Sequence, residues 1–221
     1  MRASYHDELE GVLQRIFEMA GLVETAILQA SEGLLNADLA QAEAVISQDA
    51  QLDAMHEELE FRCLSLLALQ APVASELRTI VSAIRVIFEL ARMGDLAAHI
   101  GKIARLRYPN HALSTQLEDN FSQMANIATE MAGLAKAILM DRDPKQAERM
   151  VEIDATMDEL RREHFEALMS EDWNGGTELT VDVALLGRYY ERFADHAVAV
   201  ARRVIYIATG TTPEGEDWPN A

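Results

Sequence analysis

The sequence predicts an all-α protein made of two tandem, pseudo-symmetric three-helix bundles. Three observations predict it. Apolar residues recur at helical spacing along nearly the whole chain, without the alternating Val/Ile/Thr runs of a strand. Only five prolines, Pro72, Pro109, Pro144, Pro213 and Pro219, interrupt that pattern. The second half also repeats the first, as a duplicated supersecondary unit does.

The first helix is expected from about residue 5 to residue 36, with Leu9, Val12, Ile16, Met19, Val23, Ile27 and Leu34 on its apolar side. Asp38 has the short, oxygen-bearing side chain of an N-cap, which starts a second helix at 39. That helix should stop near 69, because Pro72 disfavours α geometry at Ala71. Pro72 itself suits the first turn of a third helix. This one carries Leu77, Ile80, Ile84, Ile87, Ala91, Gly94 and Ile100 and ends near Arg107, ahead of Pro109. A fourth helix is expected over 114–140, a fifth over 144–170 and a sixth over 178–209, with Asn174-Gly175-Gly176 breaking the last two apart. The domain reading is therefore 1–108 for the first bundle, 109–210 for the second, and 211–221 as an acidic flexible tail.

The repeat is explicit. Asp38 to Asp53 matches Asp143 to Asp158 at an offset of 105 residues, with Gln41/Gln146, Ala42/Ala147, Glu43/Glu148, Asp49/Asp154, Ala50/Ala155 and Asp53/Asp158 identical. Further on the offset is 100, pairing Arg92 with Arg192 and Asp95 with Asp195. A shorter loop in the second copy is the expected cause.

Composition narrows the function. The chain has 221 residues, 49% of them hydrophobic, enough for a sizeable core, and a formal net charge of −18. Such a charge repels nucleic acid and anionic bilayers and favours a cationic ligand or a basic protein surface. A single cysteine, Cys63, excludes an internal disulfide and a thiolate zinc cluster, and reads as core packing. The opening residues 1–8 show no basic start followed by an apolar run, so no secretory leader is expected, and no stretch approaches the roughly 20 apolar residues that span a bilayer. The expected location is cytoplasmic, with attachment to the inner face of the membrane only through partners.

Chemistry concentrates in acid pairs four residues apart: Asp49/Asp53, Asp154/Asp158 and Glu191/Asp195, with Ala91/Asp95 as a damaged echo of the last. On a helix such pairs share a face, roughly 5–6 Å apart at Cβ, and repel one another unless positive charge lies between. If the second and third helices of each unit are neighbours, three or four carboxylates converge per bundle, a donor set for hard ions such as Mg²⁺, Mn²⁺ or iron. The alternative is neutralisation by Arg92, Arg188 and Arg192, as exposed pairs worth about 0–1 kcal/mol each. Tyr189, Tyr190, Phe193, Val200 and Val204 read as core, and His99 and His196 are not repeat-equivalent. A di-iron carboxylate enzyme is the rival, but its paired Glu-x-x-His motifs are absent. The expected class is non-enzymatic.

Two motifs carry a family resemblance. Leu69-Gln70-Ala71-Pro72-Val73-Ala74-Ser75-Glu76-Leu77-Arg78 resembles a Q-x-P-V-A-x-x-L-R turn, and Glu191-Arg192-Phe193-Ala194-Asp195-His196-Ala197 resembles E-R-x-x-D-H-A, both features of the PhoU family. The resemblance spans about residues 5–210. It implies an adaptor that represses the phosphate-starvation response, with a phosphate ABC transporter component and a sensor histidine kinase as partners, and a homodimer. It also implies divalent or trivalent metal (iron, Mn, Mg or Zn) at Asp49, Asp53, Asp95, Asp154, Asp158, Glu191 and Asp195. Ala91 departs from the pattern, where a glutamate is expected. Glu89 does not replace it, because six helical residues turn it about 120° away from Asp95. The patch with Glu191 is therefore expected to be the stronger one.

Overall fold

The structure, a computed structural model, describes residues 2–210. The proposed tail, 211–221, lies outside the described residues. Six helices follow in order: α1 (Arg2–Leu35), α2 (Leu39–Gln70), α3 (Ala74–Arg107), α4 (Glu118–Asp141), α5 (Pro144–Met169) and α6 (Gly176–Thr209). The two repeat-equivalent aspartates cap equivalent helices. Asp38 accepts from the backbone N–H of Ala40 and Gln41 at the start of α2, and Asp143 accepts from Lys145 at the start of α5, where Pro144 takes the first position. Each bond satisfies a backbone donor that the first helical turn leaves without a partner.

Three expectations need correction. Pro72 is not in the first turn of α3. Ala71 caps α2 in the left-handed region (φ 44°), Val73 is extended, and α3 begins only at Ala74. The fourth helix starts at Glu118, because residues 112–117 make bends and turns first. The change of repeat offset does not come from a shorter loop. Helix α5 is 26 residues against 32 for α2, whereas the connection 170–175 is longer than 71–73.

In each bundle the three helices pack on one another, α1 on α2 and α3, and α4 on α5 and α6; the bundles join through α3 against α6 and α1 against α4. The result is a row of helices in the order α2, α3, α6, α5, with α1 and α4 beneath its middle. Helices α3 and α6 run antiparallel. Arg78 donates to the Ile207 carbonyl at one end (3.4 Å), Glu89 meets His196 in the middle (2.6 Å), and Arg107 binds Glu178 and Asp182 at the other end. These pairs share one register, so a pseudo-two-fold axis passes between the helices near Arg92 and Arg192.

One core runs through both bundles, with Tyr190, Phe121 and Phe193 the largest fully buried side chains. Burying a side chain of this kind contributes about 1.5–3 kcal/mol. The Tyr190 hydroxyl meets Ser31 Oγ at 2.9 Å, tying α6 to α1 across the bundle boundary. Cys63 is buried in the first bundle, which pushes its thiol up to about 11. Gly94 lets α2 approach α3, since a Cβ there would lie 2.5 Å from Leu52 Cδ1. In the second bundle Gly187 admits the ring of His164, which a Cβ would overlap. His164 is fully buried beside Phe121 and Phe165, and neither ring nitrogen has a hydrogen-bond partner. Burial lowers it to about 4.

Candidate metal centre

The packing of α2 on α3 and of α5 on α6 sorts the seven predicted carboxylates into two patches. Asp49 and Asp53 come from α2 and Asp95 from α3. Asp49 is raised above the ordinary carboxylate range, first by burial, and Asp95 and Asp53 add to the rise. Lys102 opposes it, with Nζ 3.7 Å from Asp49 Oδ2. Arg92 donates to Asp95 Oδ2 at 3.0 Å. Ala91 contributes no oxygen.

The second patch takes Asp154 and Asp158 from α5, and Glu191 and Asp195 from α6. Asp154 is pushed up to about 6, first by burial and then by Asp195, Asp158 and Glu191, with only Arg202 opposing. Asp195 is raised as well, by burial and then Glu191. Glu191 accepts from Arg188 one turn back on α6. Arg161 of α5 reaches it too: its Nε lies 3.1 Å from Glu191 Oε2, within ion-pair range but off the line of a hydrogen bond.

The carboxylates of each patch feel one another, yet among the described residues no group of three or more His, Cys, Asp or Glu is drawn together tightly enough to hold a metal ion. Donor chemistry fits a hard cation better in the second patch than in the first. There burial first, and then the neighbouring acids, keep Asp154 near 6, with only Arg202 opposing. In the first, Lys102 lies on the most buried acid.

Some partners were not foreseen. Lys102 and Arg202 stand at the repeat offset of 100, each seven residues beyond the patch aspartate, a signal readable in the sequence. Arg161 has no such signal, since its equivalent is His56. Arg192, expected beside Asp195, forms no ion pair among the described residues. His196 turns away from the patch to Glu89 of α3, and His99 packs on Tyr189 with ring centres 5.2 Å apart. Next to Glu191 a groove of about 740 Å³ opens between Arg161, Arg162, Phe165 and Met169.

Fold and site together define a class: a duplicated three-helix-bundle protein with one carboxylate patch on each bundle. The family model described as the PhoU domain matches twice, over residues 16–104 and 121–204. The phosphate-specific transport system accessory protein PhoU homolog 1 of Mycobacterium leprae is 45% identical over all 221 residues, covering the whole of both chains. PhoU homolog 2 of Mycobacterium tuberculosis is 46% identical over 96% of this chain and all of its own. The crystal structure of PhoU from Pseudomonas aeruginosa superposes with a TM-score of 0.87 at 28% identity, covering 94% of this chain and 100% of that one. The chain belongs to the PhoU family.

Proposed function

We propose that this protein is a non-catalytic regulatory adaptor of phosphate transport, coupling a phosphate ABC transporter to a sensor histidine kinase and repressing the phosphate-starvation response. The observation that carries the reading is the end-to-end match to relatives named as accessory proteins of the phosphate-specific transport system. It is supported by a helical surface and by the lack, among the described helices, of one long and apolar enough to cross a membrane. Such a chain meets a transporter through contact with another protein. A homodimer belongs to the same proposal and is checked by sedimentation.

Asp154, Asp158, Glu191 and Asp195 would hold a metal in the second bundle, and Asp49, Asp53 and Asp95 in the first. A bound iron, Mn, Mg or Zn ion supplies the positive charge that Asp154 lacks. With their mutual repulsion relieved, the acids of α5 and α6 hold the two helices together, so that a partner meets a preformed face and loses less conformational freedom on binding.

The deciding experiment is co-purification from cells grown at high and low phosphate, with a phosphate-starvation reporter read in parallel. The expected result is capture of a transporter component and a kinase, and constitutive reporter activity when the gene is deleted. Capture of neither would end the adaptor reading. A metal-free scaffold is favoured by two observations, Lys102 on Asp49 and the paired arginines on Glu191. Unchanged partner affinity in the Asp154→Ala, Glu191→Ala double variant would establish it.

A further inference from the structure

We propose that the segment 211–221, which follows α6, folds back on the start of α3, with Trp218 on the apolar strip of Leu77 and Val81 and the acids Glu214, Glu216 and Asp217 against Arg78 and Arg85. The inference stands apart from the adaptor reading. Three observations on the described residues converge on that place.

The first is where α6 delivers the chain. Helix α6 closes at Gly210, whose left-handed backbone (φ 77°) turns the chain away from the helix axis. Gly210 lies against Arg78 of α3. A Cβ on it would stand 2.7 Å from Arg78 Nη1, and Arg78 also donates to the Ile207 carbonyl at 3.4 Å. From Gly210 to Trp218 the extended chain reaches about 26 Å, whereas Leu77 and Val81 both lie within one helical turn of Arg78.

The second is apolar surface. Leu77 and Val81 are 41% and 37% exposed and stand about 40° apart on one face of α3, with Arg85 within about 40° of Val81. Leu69 and Val73, on either side of the turn that precedes α3, are more exposed still. Trp218 is the one aromatic residue in 211–221, and an indole offers this strip a broad apolar face while stacking under an arginine.

The third is charge. Arg78 forms no ion pair among the described residues, and its Nε is buried without a hydrogen-bond partner there. Glu76, the acid in the first turn of α3, pairs with His6 of α1 at 3.6 Å. At the repeat offset of 100, Arg78 and Arg85 correspond to Glu178 and Leu185, and Glu178 is taken by Arg107. The duplicated scaffold thus puts these two arginines only at the end where 211–221 begins. That segment carries three acids and no Lys or Arg. Its tether settles the choice of occupant: a short linker gives it an effective concentration on the order of millimolar at the strip, which a separate chain of equal affinity does not match. A partner protein using the same strip has to displace it.

The test uses the full chain carrying Trp173→Phe, which leaves Trp218 as its single indole. Trp218 emission should be blue-shifted, and acrylamide should quench it about threefold or more weakly than in a free peptide of residues 211–221, because one face of the ring is covered. Leu77→Asp with Val81→Asp should raise quenching to the level of the peptide. Arg85→Glu and added salt should each raise it part of the way. If the aspartate pair fails to fold by circular dichroism, Leu77→Ser with Val81→Ser takes its place. If Trp173→Phe itself fails, 5-fluorotryptophan in the otherwise native chain reports the same exposure through the solvent isotope shift of the resonance lost in Trp218→Phe. Quenching equal to that of the peptide, or protection unchanged in the folded variants, would overturn the proposal. So would protection that appears only as protein concentration rises, which would give the strip to a second copy of the chain.

Discussion

In the first bundle Leu59 and Ile87 occupy the core positions that His164 and Gly187 occupy in the second. The exchanges match in shape, the His164 ring lying where a Cβ on residue 187 would stand, although histidine and glycine together are smaller than leucine and isoleucine. They do not compensate in polarity, because His164 is left with two orphaned nitrogens where Leu59 has none. The surfaces differ in the other sense. The first patch has three acids and a lysine on the most buried of them, while the second has four and keeps Asp154 near 6. One duplicated scaffold thus carries a plain core in the bundle with three acids, and a polar defect in the bundle with four. Duplication conserves helix positions; it leaves each half to divide its charge separately.

The severest way to break this comparison is to give the second bundle the residue of the first. Gly187→Ile should destabilise by about 3 kcal/mol or more in urea unfolding, because its side chain enters the space of the His164 ring. Adding His164→Leu should recover part of the loss. Full recovery with the histidine retained would show that the ring and the glycine are not a matched pair.

Next comes pH. The unfolded chain protonates His164 near its ordinary 6.5, but the folded chain does so only near 4. Its contribution to stability is therefore complete above about 6.5 and declines as pH falls toward 4, by roughly 2–3 kcal/mol. His164→Leu should flatten that decline, which melts between pH 7 and pH 4 would reveal. An unchanged slope would assign the decline to other groups.

Metal content sharpens the contrast between the patches. Glu191→Ala should lower affinity in the second bundle by about tenfold or more, and Ala91→Glu should strengthen the first. Isothermal titration and metal analysis of untagged protein would decide, and equal occupancy of both wild-type patches would remove the distinction. The smallest effect is expected from Asp154→Asn. Raised to about 6, this acid destabilises the fold above that pH, and the penalty fades as pH falls toward 3.8. Allowing for partial exposure and screening, the variant should gain about 1 kcal/mol at pH 7 and nothing at pH 4. In metal-loaded protein the gain at pH 7 should vanish.

Much of the architecture was legible in the chain. The Asp38 and Asp143 caps, the helical spacing and the repeat place six helices, and the helix ends that moved lie beside turns. At Pro72 the reading failed because a proline is equally at home just before a helix and inside its first turn; the left-handed Ala71 decided between them. The shortened α5 was mistaken for a shortened loop because an offset counts residues without saying which element lost them. For the site, the sequence named the acids and their pairing along each helix.

What the sequence by itself determined is whatever depends on neighbours along the chain: the helices, their duplication, and which carboxylates share a face. Those follow from local sterics and a period of 3.6 residues. Only the tertiary structure decided that Arg161 crosses from α5 to Glu191, that Glu89 turns to His196, and that Arg192 forms no ion pair among the described residues. Contacts of that kind depend on the register in which α3 meets α6 and α5 meets α6. That register is set by the packing of the whole core rather than by any segment of it.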